Sequence, residues 1–135
     1  MRSNRSVPPC PVIPVLRYPD PGAAADWLEK AFGFTVRLRI ANHRIQMWAG
    51  EGCFTIAEGN VAPGQSIIVQ VRIEGAHSHC ERARLAGAKI LTEPKDQMYG
   101  ERQYDAEDFY GYRWNFTETI ADVEPESWGG TPVRL

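Results

Sequence analysis

The sequence predicts an α+β fold made of two consecutive βαβββ modules. The main observation is an internal repeat: a helical segment closed by glycine occurs twice, and each time one strand candidate precedes it and three follow. Gly33 lies thirteen positions after Asp20 in the first segment, and Gly87 lies thirteen positions after Glu74 in the second. The matching spacing predicts that most of the chain is a duplication of one unit.

The first module has signals at both helix ends. Asp20 is a residue type that caps helix N-termini, Pro21 suits the first turn, and Gly33 supplies the left-handed residue after the last turn. Apolar residues between them recur at helical spacing and predict a buried face. The strand candidates of this module are Pro11–Tyr18, Phe34–Ala41, Arg44–Ala49 and Gly52–Glu58.

The second module repeats this order around a helix at Glu74–Gly87. Its strand candidates are Ser66–Ile73, Lys89–Thr92, Gly100–Glu107 and Tyr112–Thr119. We therefore expect one domain at residues 11–120, with modules at 11–58 and 66–119. A disordered or extended arm at residues 1–10 precedes it, and a coil tail at 121–135 follows.

The composition is that of an ordinary globular domain. Of 135 residues, 43% are hydrophobic and 24% are charged, and the net charge is −2. This charge predicts no nucleic-acid partner, and the absence of a long apolar run predicts no membrane partner. The first residues, MRSNRSVPP, are not followed by an apolar core, so we interpret them as a frayed terminus and not as a signal peptide.

The cysteines indicate a reducing location. Cys10, Cys53 and Cys80 are an odd number without metal-binding spacing, which argues against a disulfide framework. We expect them to be small apolar side chains in a cytoplasmic protein.

Four segments carry a resemblance to a known family: LRYPDPGAAADWLEKAFGF, ERARLAGAKI, YGER and DFYGYRWNF. Together they resemble the glyoxalase/bleomycin resistance/extradiol dioxygenase superfamily, also called vicinal oxygen chelate, from about Val12 to Glu118. The resemblance implies curved mixed sheets around a concave cleft. It does not fix the function, because the superfamily includes isomerases, lyases, dioxygenases and metal-free drug-binding proteins.

The resemblance also implies where a metal ion would be bound. The four ligand positions lie on the first and last strand of each module and map to Ile13, Ala57, Ile68 and Asn115. A register slip at the second position would bring in Glu58 instead. Isoleucine and alanine have no donor atom and neutral asparagine is a weak ligand, so we expect no metal and no cofactor.

Strand alternation predicts which side chains line the cleft in the first module. If Gly50 and Glu51 form the turn, Trp48 lies opposite Cys53, and Gln46 lies opposite Thr55. These four residues share the face away from the helix. A tryptophan there is best explained as a wall for a ligand or a partner chain.

In the second module the same reasoning places Ile68, Gln70, Arg113 and Asn115 in the cleft. Counting outward from a four-residue turn at Asp108–Gly111 pairs Tyr104 with Asn115 and Arg102 with Thr117. Tyr104, Arg102 and Tyr99 would then join the lining, while Gln103 and Asp105 would face the helix, where polar groups need partners. Either this strand is shifted or its face is partly open.

These residues predict a metal-free protein that binds a partly aromatic or anionic small molecule in the cleft, as a homodimer. The first alternative is a glyoxalase-like lyase, isomerase or dioxygenase with a divalent metal. The second is a metal-free enzyme with Glu58, Glu101 or Tyr104 as acid or base. The third is a structural or regulatory module whose cleft is filled by its own side chains.

Overall fold

The computed structural model describes residues 2–64 and 66–132. Within these ranges the chain forms two α-helices, α1 (Pro21–Phe32) and α2 (Ala76–Leu85). Its strands are β1 (Val15–Tyr18), β2 (Thr35–Ile40), β3 (Arg44–Ala49), β4 (Gly52–Glu58), β5 (Ile68–Arg72), β6 (Lys89–Asp96), β7 (Glu101–Glu107) and β8 (Arg113–Thr119).

The strands form two four-stranded mixed sheets with the same topology. Sheet A has the order β1-β4-β3-β2, and sheet B has the order β5-β8-β7-β6. In each sheet the first and last strands of the module pair in parallel, and the other pairs are antiparallel. The predicted α+β fold of two βαβββ modules is confirmed.

The two helices begin in different ways. As predicted, Asp20 caps α1: its Oδ1 accepts a hydrogen bond from the Ala23 amide at 3.2 Å. Helix α2 begins after Gly75 and has no side-chain cap from its own segment. The Glu118 carboxylate from β8 accepts hydrogen bonds from the amides of residues 75 and 76 instead. These backbone donors lower the pKa of Glu118.

Residues from both modules share one hydrophobic core. The ring centroid of Phe32, at the end of α1, lies 5.7 Å from that of Trp114 and 4.7 Å from that of Phe116. Phe54 of sheet A also contacts Trp114, at 5.4 Å. Because successive side chains of a strand point to opposite faces, the other face of each sheet points away from this core. We call these surfaces the outer face of sheet A and the outer face of sheet B.

The helices are joined to each other at their C-terminal ends. The Trp27 indole N–H of α1 donates to the Ala86 carbonyl, just after α2, at 2.9 Å. In return, the Arg82 guanidinium of α2 donates to the carbonyls of Lys30 and Glu29, at 2.8 and 2.9 Å. Carbonyl groups at the end of a helix lack partners within the helix, so these bonds satisfy them across the module boundary.

The buried carboxylate of Asp108 connects the two modules. Its Oδ2 accepts hydrogen bonds from the Tyr18 hydroxyl of sheet A, at 2.6 Å, and from the Trp114 indole of sheet B, at 3.1 Å. Its Oδ1 accepts three more, each 3.0 Å long, from the backbone amides of residues 110–112. Burial raises the pKa of Asp108, and these donors partly oppose that shift.

His79 of α2 also makes polar contacts at this core. Its Nε2 lies 2.9 Å from the Phe32 carbonyl, and its Nδ1 lies 2.5 Å from the Tyr104 hydroxyl. A carbonyl only accepts, so Nε2 carries the proton and Nδ1 accepts from the tyrosine. Burial lowers the pKa of His79 and raises that of Tyr104.

The tail differs from the predicted coil, within the part that the structure describes. Residues Pro125–Trp128 form a 3₁₀ helix, and the Trp128 ring lies 5.2 Å from that of Tyr99. Gly100 is required where the tail crosses it, since its φ is +85° and a Cβ would lie 2.3 Å from the Ala121 carbonyl oxygen. Residues 133–135 of the predicted tail lie outside the described residues. No helix in the described ranges has the length and apolarity to cross a membrane.

Replacing Asp108 with asparagine is expected to lower the free energy of unfolding by about 2–4 kcal/mol, because the amide leaves buried donors without an acceptor. Urea denaturation measures the change. The control is Asp26→Asn, whose side chain is 77% exposed and pairs with the half-exposed Arg39; its effect should stay within about 0.5 kcal/mol. Equal stability of the two variants would contradict the connecting role of Asp108.

The lowered pKa of His79 predicts that acid destabilises the fold. Between the folded pKa and the unfolded value of about 6.5, the unfolded chain binds more protons. The contribution is therefore fully present above about pH 6.5 and is lost as the pH falls through the folded pKa. Unfolding free energies measured from pH 5 to 7.5 should fall less steeply toward acid in His79→Gln than in the wild type. Identical slopes would show that His79 does not contribute.

Candidate functional site

The outer face of sheet A carries the residues that strand alternation predicts. Trp48 pairs with Cys53, and Gln46 pairs with Thr55, which confirms the predicted register. Gln46 and Thr55 are only 5% and 4% exposed. Side chains on an open sheet face would be more accessible, so something must cover them.

Arg37 reaches this face through an irregularity in β2. The pairing of β2 with β3 shifts between Val36 and Leu38, which leaves Arg37 as the extra residue of a bulge. Its guanidinium lies 5.7 Å from the centre of the Trp48 ring and donates to Gln46 Oε1 at 2.5 Å.

The N-terminal arm, residues 2–14, covers part of the outer face of sheet A. The Gln46 amide donates to the Ser6 carbonyl at 2.8 Å, and Arg37 donates to the Arg5 carbonyl at 3.1 Å. Pro8 of the arm is buried. The sequence predicts a disordered or extended arm at residues 1–10; in the described part of it, main-chain carbonyls satisfy side-chain donors of the sheet. Residue 1 lies outside the described part.

A disulfide between Cys10 and Cys53 fixes the arm to β4. The prediction of three free cysteines is therefore wrong, and Cys80 alone is a free, buried thiol among the described cysteines. This pair could not be predicted from cysteine spacing, because the two residues are 43 positions apart and form no short motif. A crosslink that closes a loop of this length contributes about 4 kcal/mol in the chain-entropy model.

Sheet B has a different register from the predicted one. Asp105 pairs with Asn115, and Tyr104 pairs with Phe116, so β7 is shifted by one residue. The loop holds five residues and not four: Asp108 binds three successive amides, and its own amide donates to the Tyr112 carbonyl at 2.9 Å. The extra residue reverses which side chains face outward.

This shift removes two predicted residues from the cleft. Tyr104 is fully buried in the core beside His79. The side chain of Arg102 forms a bidentate ion pair with Asp96 at 2.6 and 3.2 Å, and the pair raises the pKa of Arg102 and lowers that of Asp96. Tyr104 and Arg102 therefore do not line the outer face of sheet B.

The outer face of sheet B carries a connected layer of polar side chains. Asp105 is at its centre: Oδ1 accepts from the Asn115 amide at 2.5 Å, and Oδ2 accepts from the Arg113 guanidinium at 2.9 Å. The Asn115 carbonyl oxygen in turn accepts from Gln70 at 2.9 Å. Such a chain of bonds holds each side chain in one orientation.

A second chain of bonds continues the layer across the sheet. Gln103 accepts from the Tyr99 hydroxyl at 2.9 Å and donates to the Thr117 hydroxyl at 3.1 Å. Thr117 donates to the Glu101 carboxylate at 2.6 Å, and Arg72 lies 3.7 Å from that carboxylate. We call the whole layer the polar face of sheet B; its members are Gln70, Arg72, Tyr99, Glu101, Gln103, Asp105, Arg113, Asn115 and Thr117.

Helix α2 packs on the opposite side of sheet B and does not cover the polar face. Several side chains of the polar face are nevertheless largely buried. The side chains of Arg113, Asp105 and Glu101 are 29%, 16% and 15% exposed. The Arg113 Nε atom is buried and has no hydrogen-bond partner among the described residues. A buried donor without an acceptor costs free energy.

An apolar groove of about 550 Å³ adjoins this face. It lies between β5 and the tip of the β3–β4 hairpin, and Gln70 and Arg72 line it together with Val12, Phe54 and Trp114. The groove is within the size range of small-molecule sites.

The structure divides the predicted ligand residues between two faces. The polar face of sheet B brings together Gln70, Tyr99, Arg113 and Asn115. Trp48, Gln46 and Thr55 lie on the outer face of sheet A, and no described hydrogen bond or ion pair joins the two groups. Ile68 lies at the start of β5 and is 46% exposed.

Of the predicted acid–base candidates, only Glu101 lies on the polar face. Glu58 is exposed at the end of β4, and alternation directs its side chain away from the outer face on which Ala57 lies. Tyr104 is in the core.

The positions that the resemblance assigns to metal ligands do not fit a metal ion. Ile13, Ala57 and Ile68 carry no donor atom, and the Asn115 oxygen already accepts a hydrogen bond from Gln70. In the described ranges, no three His, Cys, Asp or Glu residues form a group able to hold a metal ion.

Sequence reasoning missed Asp105, Gln103, Arg37 and the N-terminal arm. Asp105 and Gln103 were placed on the wrong face because the loop was taken to have four residues. Two polar side chains facing the helix layer would lack partners there, and this conflict could have revealed the error in loop length.

Comparison with known proteins identifies similar chains. Residues 12–116 match the family model described as Glyoxalase/Bleomycin resistance protein/Dioxygenase superfamily. No curated protein matches the chain significantly.

Several solved structures have the same fold. TioX from Micromonospora sp. ML1 is 28% identical with a TM-score of 0.70, covering 85% of this chain and 100% of that one. A glyoxalase/bleomycin resistance protein/dioxygenase family enzyme from Burkholderia phytofirmans PsJN is 14% identical with a TM-score of 0.67, covering 78% and 95%. A glyoxalase/bleomycin resistance protein/dioxygenase from Nocardioides is 17% identical with a TM-score of 0.63, covering 93% and 90%.

Proposed function

Because the chain belongs to the glyoxalase/bleomycin resistance protein/dioxygenase superfamily, we propose that it binds a small, partly aromatic anion on the polar face of sheet B without a metal ion. The observation that carries the proposal is the Arg113 guanidinium, whose side chain is 29% exposed on this face and pairs with Asp105. The accessible part of this cation would attract an anionic oxygen of a ligand.

The chemistry of the surrounding residues supports an anion with a flat apolar part. Arg113 and Arg72 present guanidinium groups, which bind carboxylate, sulfonate or phosphate oxygens through paired donors. The adjoining groove, which Val12, Ala49 and Val69 help to line, offers apolar contact. The Tyr99 and Trp128 rings, 5.2 Å apart, provide aromatic surface at the other side of the face.

A metal-dependent reaction of the kind known in the superfamily receives no support from these residues. Three of the four implied ligand positions have no donor atom. Glu101 is a carboxylate on the polar face, but it already accepts a hydrogen bond from Thr117. The proposal is therefore binding, with no reaction step.

We also propose that the protein is a homodimer. Exposed apolar side chains collect where β1 and β5 begin: Val15, Val61 and Ile67 line one pocket of about 290 Å³ and are 46%, 40% and 72% exposed. Contiguous apolar surface on a monomer is typical of a contact with another chain. A second copy of the chain packed here would shield the edges of β1 and β5 from solvent, and it would also bury the exposed apolar side chains.

The binding proposal predicts that the wild type enhances the fluorescence of anilinonaphthalene sulfonate, an aromatic anion, in a saturable titration. Arg113→Gln should weaken this binding about tenfold, since it removes a charged donor. The control is Arg39→Gln, because Arg39 is half-exposed on β2 and should not contact the probe. Thermal melting must remain cooperative in both variants. An unchanged affinity in Arg113→Gln would contradict the proposal.

The dimer proposal predicts about twice the chain mass of 15.2 kDa in light scattering at micromolar concentration. Ile67→Glu should shift the protein toward monomer, because it places a charge in the apolar contact. Leu85→Glu is the matched control: Leu85 is 86% exposed on α2, away from this pocket. A monomeric wild type, or equal masses for the two variants, would contradict the assignment of this surface.

A further inference from the structure

The N-terminal arm is attached to sheet A by one covalent bond and by weaker contacts. The covalent bond is the Cys10–Cys53 disulfide. The weaker contacts are the hydrogen bonds to the carbonyls of Arg5 and Ser6 and the burial of Pro8. The bond to the Arg5 carbonyl is exposed, so water competes for it, whereas the bond to the Ser6 carbonyl is partly buried.

From this arrangement we infer that the arm is a redox-released strap. Reduction of the Cys10–Cys53 disulfide lets residues 2–10 leave the outer face of sheet A and exposes the side chains of Arg37, Gln46 and Trp48. Cys10 and Cys53 also line the groove that adjoins the proposed anion site, but the test of the strap requires no ligand.

Access to the two sulfur atoms determines how the reduction proceeds. Cys10 is partly exposed whereas Cys53 is 8% exposed, so a low-molecular-weight thiolate attacks Cys10 Sγ. The Cys53 sulfur leaves as a thiolate and takes a proton from solvent. A second thiol then attacks the mixed disulfide, which yields two protein thiols and one oxidised small-molecule disulfide.

Loss of the crosslink removes the restraint that makes the weaker contacts effective. While the disulfide is closed, Arg5 and Ser6 are held near their donors, and each bond forms at little entropic cost. After reduction, the same contacts must order a free chain end of about ten residues, and two hydrogen bonds contribute less free energy than that ordering costs. The strap therefore opens without unfolding of the domain. In a reducing compartment the open form would dominate, and an oxidant would close it.

Limited trypsin digestion followed by mass spectrometry tests this inference. In the oxidised protein, cleavage between Arg5 and Ser6 should be slow; dithiothreitol should accelerate it at least tenfold. Cys10→Ser should be cleaved at the fast rate without reductant, because it cannot form the disulfide. Cys80→Ala is the matched control and should follow the wild type, because Cys80 is the free cysteine.

A second cleavage site separates release of the strap from general unfolding. The bond between Arg84 and Leu85 lies at the end of α2, outside the arm, and should not be cut faster after reduction. Equal acceleration at both bonds would overturn the inference, since the whole domain would then be loosened. So would equal cleavage after Arg5 in the oxidised, reduced and Cys10→Ser proteins, or free Cys10 and Cys53 thiols by alkylation after mild oxidation.

Discussion

The carboxylate of Asp108 is the group on which the arrangement of the two modules depends. It receives one hydrogen bond from Tyr18 of sheet A, one from Trp114 of sheet B and three from the turn between β7 and β8. Five donors around a buried anion leave little freedom for either sheet or for the loop length. Because the loop has five residues, Asp105 faces outward, and the polar face of sheet B exists.

The outer faces of the two sheets differ in what packs against them. Both sheets direct their large apolar residues inward around Phe32 and Trp114, so each sheet has one face left over. The face of sheet A is covered by the arm of its own chain, through the carbonyls of Arg5 and Ser6. The tail contacts the polar face of sheet B at Tyr99, and the polar side chains of this face bind one another. Hence we assign ligand binding to sheet B and a redox-dependent strap to sheet A.

The sequence was sufficient where local chemistry decides the structure. The cap at Asp20, the left-handed Gly33 and the Trp48–Cys53 register follow from residue type and alternation, and all three are present. It failed where a distant group decides. The loop after β7 has five residues because the Asp108 carboxylate binds three successive amides within it. The Cys10–Cys53 pair depends on an arm that folds back onto a strand 43 residues later in the sequence. A single-residue shift in β7 was enough to exchange Tyr104 for Asp105 at the site.

The central claim is that the polar face of sheet B is the ligand surface of this chain. Its side-chain amides, on Gln70, Gln103 and Asn115, give signals in a ¹H–¹⁵N spectrum that report on this face alone. Titration with an aromatic carboxylate or sulfonate should shift these three signals together, and it should leave the amide of Gln46 under the arm unchanged. Shifts at Gln46 without shifts at Asn115 would place the ligand on sheet A and contradict the account.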